Sequence, residues 1–92
     1  MAEALEIAGR GAGGIYVDID VDVCDRSVVP ACPAARPGGI SADELMRAAM
    51  TAAGDPRVRG IDITEIDATA DAPDGRTVRL AALLLLQATG GR

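Results

Sequence analysis

The sequence predicts an α/β fold, a βαβα unit built on a parallel strand pair, and three observations predict it. Residues 15–23 alternate strictly between apolar and polar side chains, the signature of a half-buried strand. Ser41 with Glu44 three residues on forms a capping box that opens a helix. A second strand-like run at 58–65 is followed by an apolar helical segment. Strands joined through a crossover helix pair in parallel, and such pairs belong to open sheets covered on both faces. Ninety-two residues hold one small domain or a portion of one, and two domains are excluded.

Taken in chain order, residues 2–8 are helix formers that stop at a glycine cluster, so they read as the last turns of a helix begun earlier. In 15–23, Ile15, Val17, Ile19, Val21 and Val23 fall on one face and Tyr16, Asp18, Asp20 and Asp22 on the other. From Asp25 to Gly39, three prolines and the Gly38-Gly39 pair prevent regular structure, and long loops of this kind inside compact domains are usually functional. The helix at 42–53 repeats Leu45, Ala48, Ala49 and Ala52 at helical spacing until Gly54. Asp55-Pro56 bounds the second strand, and Pro73, Asp74 and Gly75 make the turn into a helix at 77–88 that ends before Gly90-Gly91. Residues 80–86 are apolar nearly all round, which fits a helix packed inside a larger protein. Two strands alone leave two open edges and one uncovered face, so the chain reads as incomplete.

Composition narrows the function. Nine cations, all Arg, against fourteen carboxylates give a net charge of −5, and with one Tyr and no Trp or Phe there is no basic, aromatic surface for nucleic acid. The longest aliphatic run is too short to span a bilayer and the N-terminus is acidic where a signal peptide would be basic, which leads to the expectation of a cytoplasmic protein without a membrane partner. Cys24 and Cys32 read as reduced thiols, and with no His they cannot complete a Cys/His zinc site.

Gly9 to Gly14 has the spacing of a dinucleotide-binding glycine motif, but it precedes a strand instead of following one, so it reads as a helix-to-strand connection. Asp18, Asp20 and Asp22 project from one strand face about 7 Å apart. Such a row persists if it is solvated, if some members are protonated, or if a multivalent cation neutralises it. A solvated acidic face and a divalent-metal site fit the spacing equally, and the position at the C-terminal end of a parallel strand favours function. An EF-hand beginning at Asp18 fails, because Val23 and Val29 stand where Gly and Glu are required. An aspartyl phosphatase using Asp20 as nucleophile remains an alternative, weakened by the absence of any Lys to neutralise the phosphoenzyme. Glu65 closes the second strand as Asp20 and Asp22 close the first, so parallel pairing brings the three to one rim. Asp62, of opposite parity, reads as a structural hydrogen-bonding residue.

The run Asp20-Val21-Asp22-Val23-Cys24-Asp25, followed by Pro30-Ala31 and Gly39, resembles the C-terminal signature of the ureohydrolase family of arginases, agmatinases and formimidoylglutamases. Gly60 to Ile66 resembles the family's next strand, and Asp74-Gly75-Arg76-Thr77 with its Ala/Leu-rich sequel resembles the last helix. The resemblance covers nearly the whole chain. It implies a three-layer α/β/α parallel-sheet arginase-type fold, binuclear Mn²⁺, Asp20 bridging both ions, Asp22 ligating one, and Glu65 facing the cationic group of a guanidino or formimino substrate. Paired metals would activate water for attack on the planar carbon of a linear C–N bond. A homo-oligomer is implied for the full-length form. Residues 32–39 look most like the formimidoylglutamase side of the family.

Arg26 stands where the family usually has Pro, and Asp67-Ala68 where it usually has Asn-Pro, changes that leave the metal ligands untouched and bear on the substrate. The remaining ligands and the general-acid His of the family lie upstream, and this chain has no His. Residues 1–92 therefore read as the C-terminal portion of a single ureohydrolase domain starting at an internal Met1, not competent alone. The alternative from a different class is a non-catalytic acidic α/β module that pairs with another chain through its open edges.

Overall fold

A parallel strand pair flanked by three helices makes up the protein, shown by a computed structural model that describes residues 1–90. In order these are α1 (Ala2–Gly9), β1 (Ile15–Asp20), α2 (Ala42–Gly54), β2 (Val58–Thr64) and α3 (Arg76–Gly90), with short 3₁₀ turns at Val21–Val23 and Ala68–Ala70. The expected βαβα order is present, preceded by the N-terminal helix. The last helix runs one residue earlier and two later than the sequence pattern suggests, and Gly91 lies outside the described residues.

Alternation places Ile15 and Ile19 of β1 in the core with Val17 half-buried, and sends Tyr16, Asp18 and Asp20 to the opposite, exposed face. Register pairs Val17 with Ile61 and Ile19 with Ile63 on the core side, and Tyr16 with Gly60, Asp18 with Asp62 and Asp20 with Thr64 on the bare side. An irregularity between Ile15 and Tyr16 leaves one extra residue, Arg59, in β2. Gly60 follows because the Tyr16 ring lies over it: a β-carbon there would meet two ring carbons at 2.8 and 2.9 Å.

The alternation breaks earlier than expected. The strand predicted over 15–23 ends at Asp20, whose Oδ1 accepts the Asp22 backbone N–H at 2.9 Å and folds Val21–Val23 into a 3₁₀ turn. This side-chain bond competes with the ladder, as short polar side chains commonly do. Val21 is buried as predicted, while Val23 is 47% exposed.

The reciprocal capping box forms at Ser41 and Glu44, with bonds of 3.1 and 3.0 Å. Leu45, Ala49, Ala52 and Ala53 then make the buried face of α2, and its small side chains let α3 lie closely against it. Thr77, Leu80, Leu84 and Ala88 are the buried face of α3.

With no Phe or Trp to fill space, the irregular segment after β1 supplies core mass itself. Val29, Ala31, Cys32 and Ala35 are buried, and Val29, Cys32 and Ala35 join Ile19, Val21, Cys24, Leu45, Ala49, Leu80 and Leu84 in one cluster. Burial of a side chain such as Leu84 contributes about 1.5–3 kcal/mol. Cys24 and Cys32 are free thiols. Burial raises both, Cys32 to about 11, so they remain protonated and unreactive at neutral pH. Among the described residues no helix is long and apolar enough to cross a membrane.

Candidate metal centre at the strand ends

Parallel pairing puts the C-terminal ends of β1 and β2 side by side. Asp20 is the last residue of β1 and pairs with Thr64, the last of β2, so Glu65 emerges next to the rim that Asp20 begins. Glu65 was expected inside the strand. It lies one residue beyond it, exposed, with φ 72°, the one non-glycine residue in the left-handed region among those described. The cost of that conformation is of order 1–3 kcal/mol, and such residues concentrate at binding and catalytic sites. Its neighbours fix it: Thr64 is held in the ladder and Ile66 packs against the main core.

Asp22 lies within the 3₁₀ turn instead of the strand and is half-buried. Its Oδ1 is buried and makes no hydrogen bond, while Asp20 spends only Oδ1, on the Asp22 amide. A buried carboxylate oxygen without a donor is costly in isolation and is relieved by a cation. The Asp-x-Asp pair thus fits hard, oxygen-preferring divalent metal, as part of a ligand set. Among the described residues no group of three or more His, Cys, Asp or Glu side chains is arranged to hold an ion.

Behind the rim lies a polar network the sequence pattern did not show. Asp18 and Asp62 oppose one another across the ladder, the Tyr16 hydroxyl donates to Asp62 Oδ2 at 2.8 Å, and the Thr64 hydroxyl donates to Asp18 Oδ1 at 3.1 Å. Asp62 accordingly takes a hydrogen-bonding role, with its Oδ1 buried and unpartnered. The hydrogen-bonding interaction with Asp62 raises Asp18 above the ordinary carboxylate range, against the opposing pull of Thr64. Asp18 therefore belongs to this network, apart from Asp20 and Asp22.

The segment after the turn is tied down at both ends. Asp25 accepts from the Ser27 hydroxyl and amide and from the Gly38 amide at 2.7 Å, and these bonds, led by Ser27, hold it below the usual range. Backbone bonds from Asp25 to Ile40 and from Ile40 to Val23 close the loop into a short parallel bridge. Gly39 permits this approach, since a β-carbon would lie 2.5–2.6 Å from the backbone of Val23, Cys24 and Asp25. Arg26 reaches across the loop to the carbonyls of Pro33 at 3.2 Å and Ala35 at 3.4 Å.

Beyond Glu65, the Asp67 amide donates to the Ala31 carbonyl at 2.9 Å, and its carboxylate caps the next turn through the Thr69 amide. Asp71 accepts the Ala72, Thr77 and Val78 amides at the start of α3. Desolvation opposes these bonds, yet they hold Asp71 low. Neither cap was recognised from sequence; Asp67 with Thr69 two residues on was the available signal.

The Arginase family model matches residues 1–90. The chain belongs to the arginase family. It is 47% identical over 89 residues to the formimidoylglutamase of Bacillus subtilis, a match covering 97% of this chain and 28% of the relative. The crystal structure of that Bacillus subtilis enzyme superimposes with a TM-score of 0.88 at 42% identity, over 98% of this chain and 28% of the other. A Trypanosoma cruzi formiminoglutamase determined with Mn²⁺ shares the fold, with a TM-score of 0.82 at 22% identity over 98% of this chain and 30% of that one. The fold is therefore arginase-type, as the resemblance implied. This arginase-family chain spans between a quarter and a third of the length of these relatives.

Proposed function

We propose that residues 1–92 form the C-terminal portion of a ureohydrolase domain that hydrolyses a linear C–N bond, with a formimino compound as the first-choice substrate class and guanidino compounds as the runner-up. The observation that carries this reading is the shared rim: Asp20 ends one of two parallel strands, Asp22 lies just beyond it and Glu65 just beyond the other, in a chain 47% identical to a formimidoylglutamase. Asp20 and Asp22 would hold two Mn²⁺ ions together with ligands outside these residues, a choice supported by the Trypanosoma cruzi relative and by the unpartnered Asp22 oxygen. Bound metal would supply an activated water and charge stabilisation at the carbon under attack.

The chain's own residues position and select. The hydrogen bond from the Asp22 backbone amide orients the Asp20 carboxylate. Glu65, exposed just past the end of β2, offers an anionic acceptor for the N–H groups of an amidinium-type substrate, a charge-assisted and directional bond. The 92-residue chain by itself is proposed to be inactive, since two carboxylates cannot complete the coordination of two ions.

The test is a chimera in which this chain replaces the matching segment of the Bacillus subtilis formimidoylglutamase. Hydrolysis of a formimino amino acid, lost in Asp20→Asn and reduced in Glu65→Gln, is the expected result. A folded, manganese-loaded chimera that cleaves neither formimino nor guanidino compounds would overturn the reading.

A further inference from the structure

Among the described residues one polar residue is fully buried, Thr77 in the first turn of α3. Its Oγ1 accepts the Ala31 backbone N–H at 3.2 Å, a bond that spans 46 positions. The Ala31 carbonyl accepts the Asp67 N–H at 2.9 Å. Ala31, itself buried, is therefore held from two sides, by α3 at its amide and by the segment after β2 at its carbonyl. Asp71 fixes Thr77 in turn, accepting its amide at 3.2 Å and that of Val78 at 3.0 Å. A valine of the same shape would fill the space but leave the Ala31 N–H buried without an acceptor, so hydrogen bonding and not volume calls for the hydroxyl.

This junction links the two halves of the rim. Ala31 belongs to the segment that leaves Asp22, and Asp67 is separated from Glu65 by Ile66 alone. A non-glycine residue keeps a φ of 72° only where its surroundings impose it. On one side of Glu65 the ladder holds Thr64, and on the other Ile66 packs on the core and Asp67 is bonded to Ala31. We propose that Thr77 is a positioning residue for Glu65: through Ala31 and Asp67 its hydroxyl holds the Glu65 backbone at a fixed place relative to the segment that leaves Asp22. The inference rests on the reading of Glu65 as the group that meets an amidinium-type substrate. Thr77 is buried and touches no substrate. Loss of its hydroxyl frees Ala31 and the Asp67 amide with it, while Asp20 keeps its own bond to the Asp22 amide, so the effect falls on substrate binding and not on the metal.

The experiment compares the manganese-loaded chimera with its Thr77→Val and Thr77→Ser variants. Thr77→Val should raise KM for a formimino amino acid roughly fivefold or more with kcat within about twofold, and Thr77→Ser should keep the parental KM. Thr77→Val should add nothing further to the KM of Glu65→Gln, because both act through one contact. By amide exchange and mass spectrometry, the peptides carrying Ala31 and Asp67 should exchange roughly tenfold faster in Thr77→Val and at parental rates in Thr77→Ser. A folded Thr77→Val chimera with parental KM, an effect fully additive with Glu65→Gln, or unchanged exchange at Asp67 would each overturn the proposal. Should Thr77→Val not fold, the unaltered chimera decides: the Ala31 and Asp67 amides are expected to be protected alike, and a freely exchanging Asp67 amide would overturn it. A parent chimera that cleaves neither formimino nor guanidino compounds would count against the proposed activity, while faster exchange at Asp67 in Thr77→Val would still sustain the positioning of Glu65, so the two can fail separately.

Discussion

Asp18 and Asp62 face each other directly across the parallel ladder, two carboxylates where a sheet ordinarily places complementary partners. The Tyr16 and Thr64 hydroxyls each donate to one of them, which softens the opposition without removing it. Asp18→Asn supplies an amide donor toward Asp62 and should raise the melting temperature at pH 7. Because the folded-state pKa of Asp18 is raised, its unfavourable contribution is absent below the unfolded value near 3.8 and grows as pH climbs through the folded value. The advantage of the variant should therefore shrink as pH is lowered through that range. A variant that melts lower than the parent at pH 7 would contradict this account.

Gly39→Ala should lower stability by about 1–3 kcal/mol, because the added methyl has only backbone atoms of residues 23–25 to push against. Gly13→Ala, which meets nothing within 4 Å, is the control and should be near neutral. Denaturant midpoints of the two variants decide the matter, and equal midpoints would show that the loop closure is not tight.

Asp55 accepts the Arg57 amide at 2.8 Å and both Nε and Nη2 of its guanidinium at 3.0 and 2.7 Å. Those bonds hold its carboxyl down to about 2. With a depressed folded value, the stabilisation is present above the unfolded value near 3.8 and disappears as pH falls toward 2. Melting curves of the parent and Asp55→Asn should converge across that window, and a constant gap down to pH 2 would show the pair contributes nothing titratable.

Manganese titrated calorimetrically into the isolated chain should give no tight, stoichiometric uptake, since the described residues present two strand-end aspartates and no third coordinating group beside them. Tight capture of one or two equivalents would mean that a full ligand set exists within this chain, against the shared-rim arrangement.

Much of this was readable in the residues. The Ser41/Glu44 box marked the start of α2 because capping is satisfied within four residues. The alternation from Ile15 to Asp20 marked β1 because a two-residue period has one structural explanation. Pattern failed at Val21, where a side-chain bond from Asp20 outweighed three further residues of alternation, and at Glu65, where strand pairing stops and the backbone turns left-handed. It also treated residues 25–39 as loop alone, although proline-broken backbone can still bury Val29 and Cys32.

By itself the sequence determined the element types, the parallel βαβα order and the residues that resemble a ureohydrolase rim, since those depend on short-range periodicity, capping and motif spacing. Only the tertiary structure decided that Asp18 belongs with Asp62 and not with Asp20, that Asp22 keeps a buried oxygen without a donor, and that β2 and α3 leave a cleft between them. Register across the sheet is set by contacts between residues some forty to fifty positions apart, as in the 46-residue separation of Thr64 from Asp18, and local pattern encodes neither that register nor the spacing of a helix from a strand.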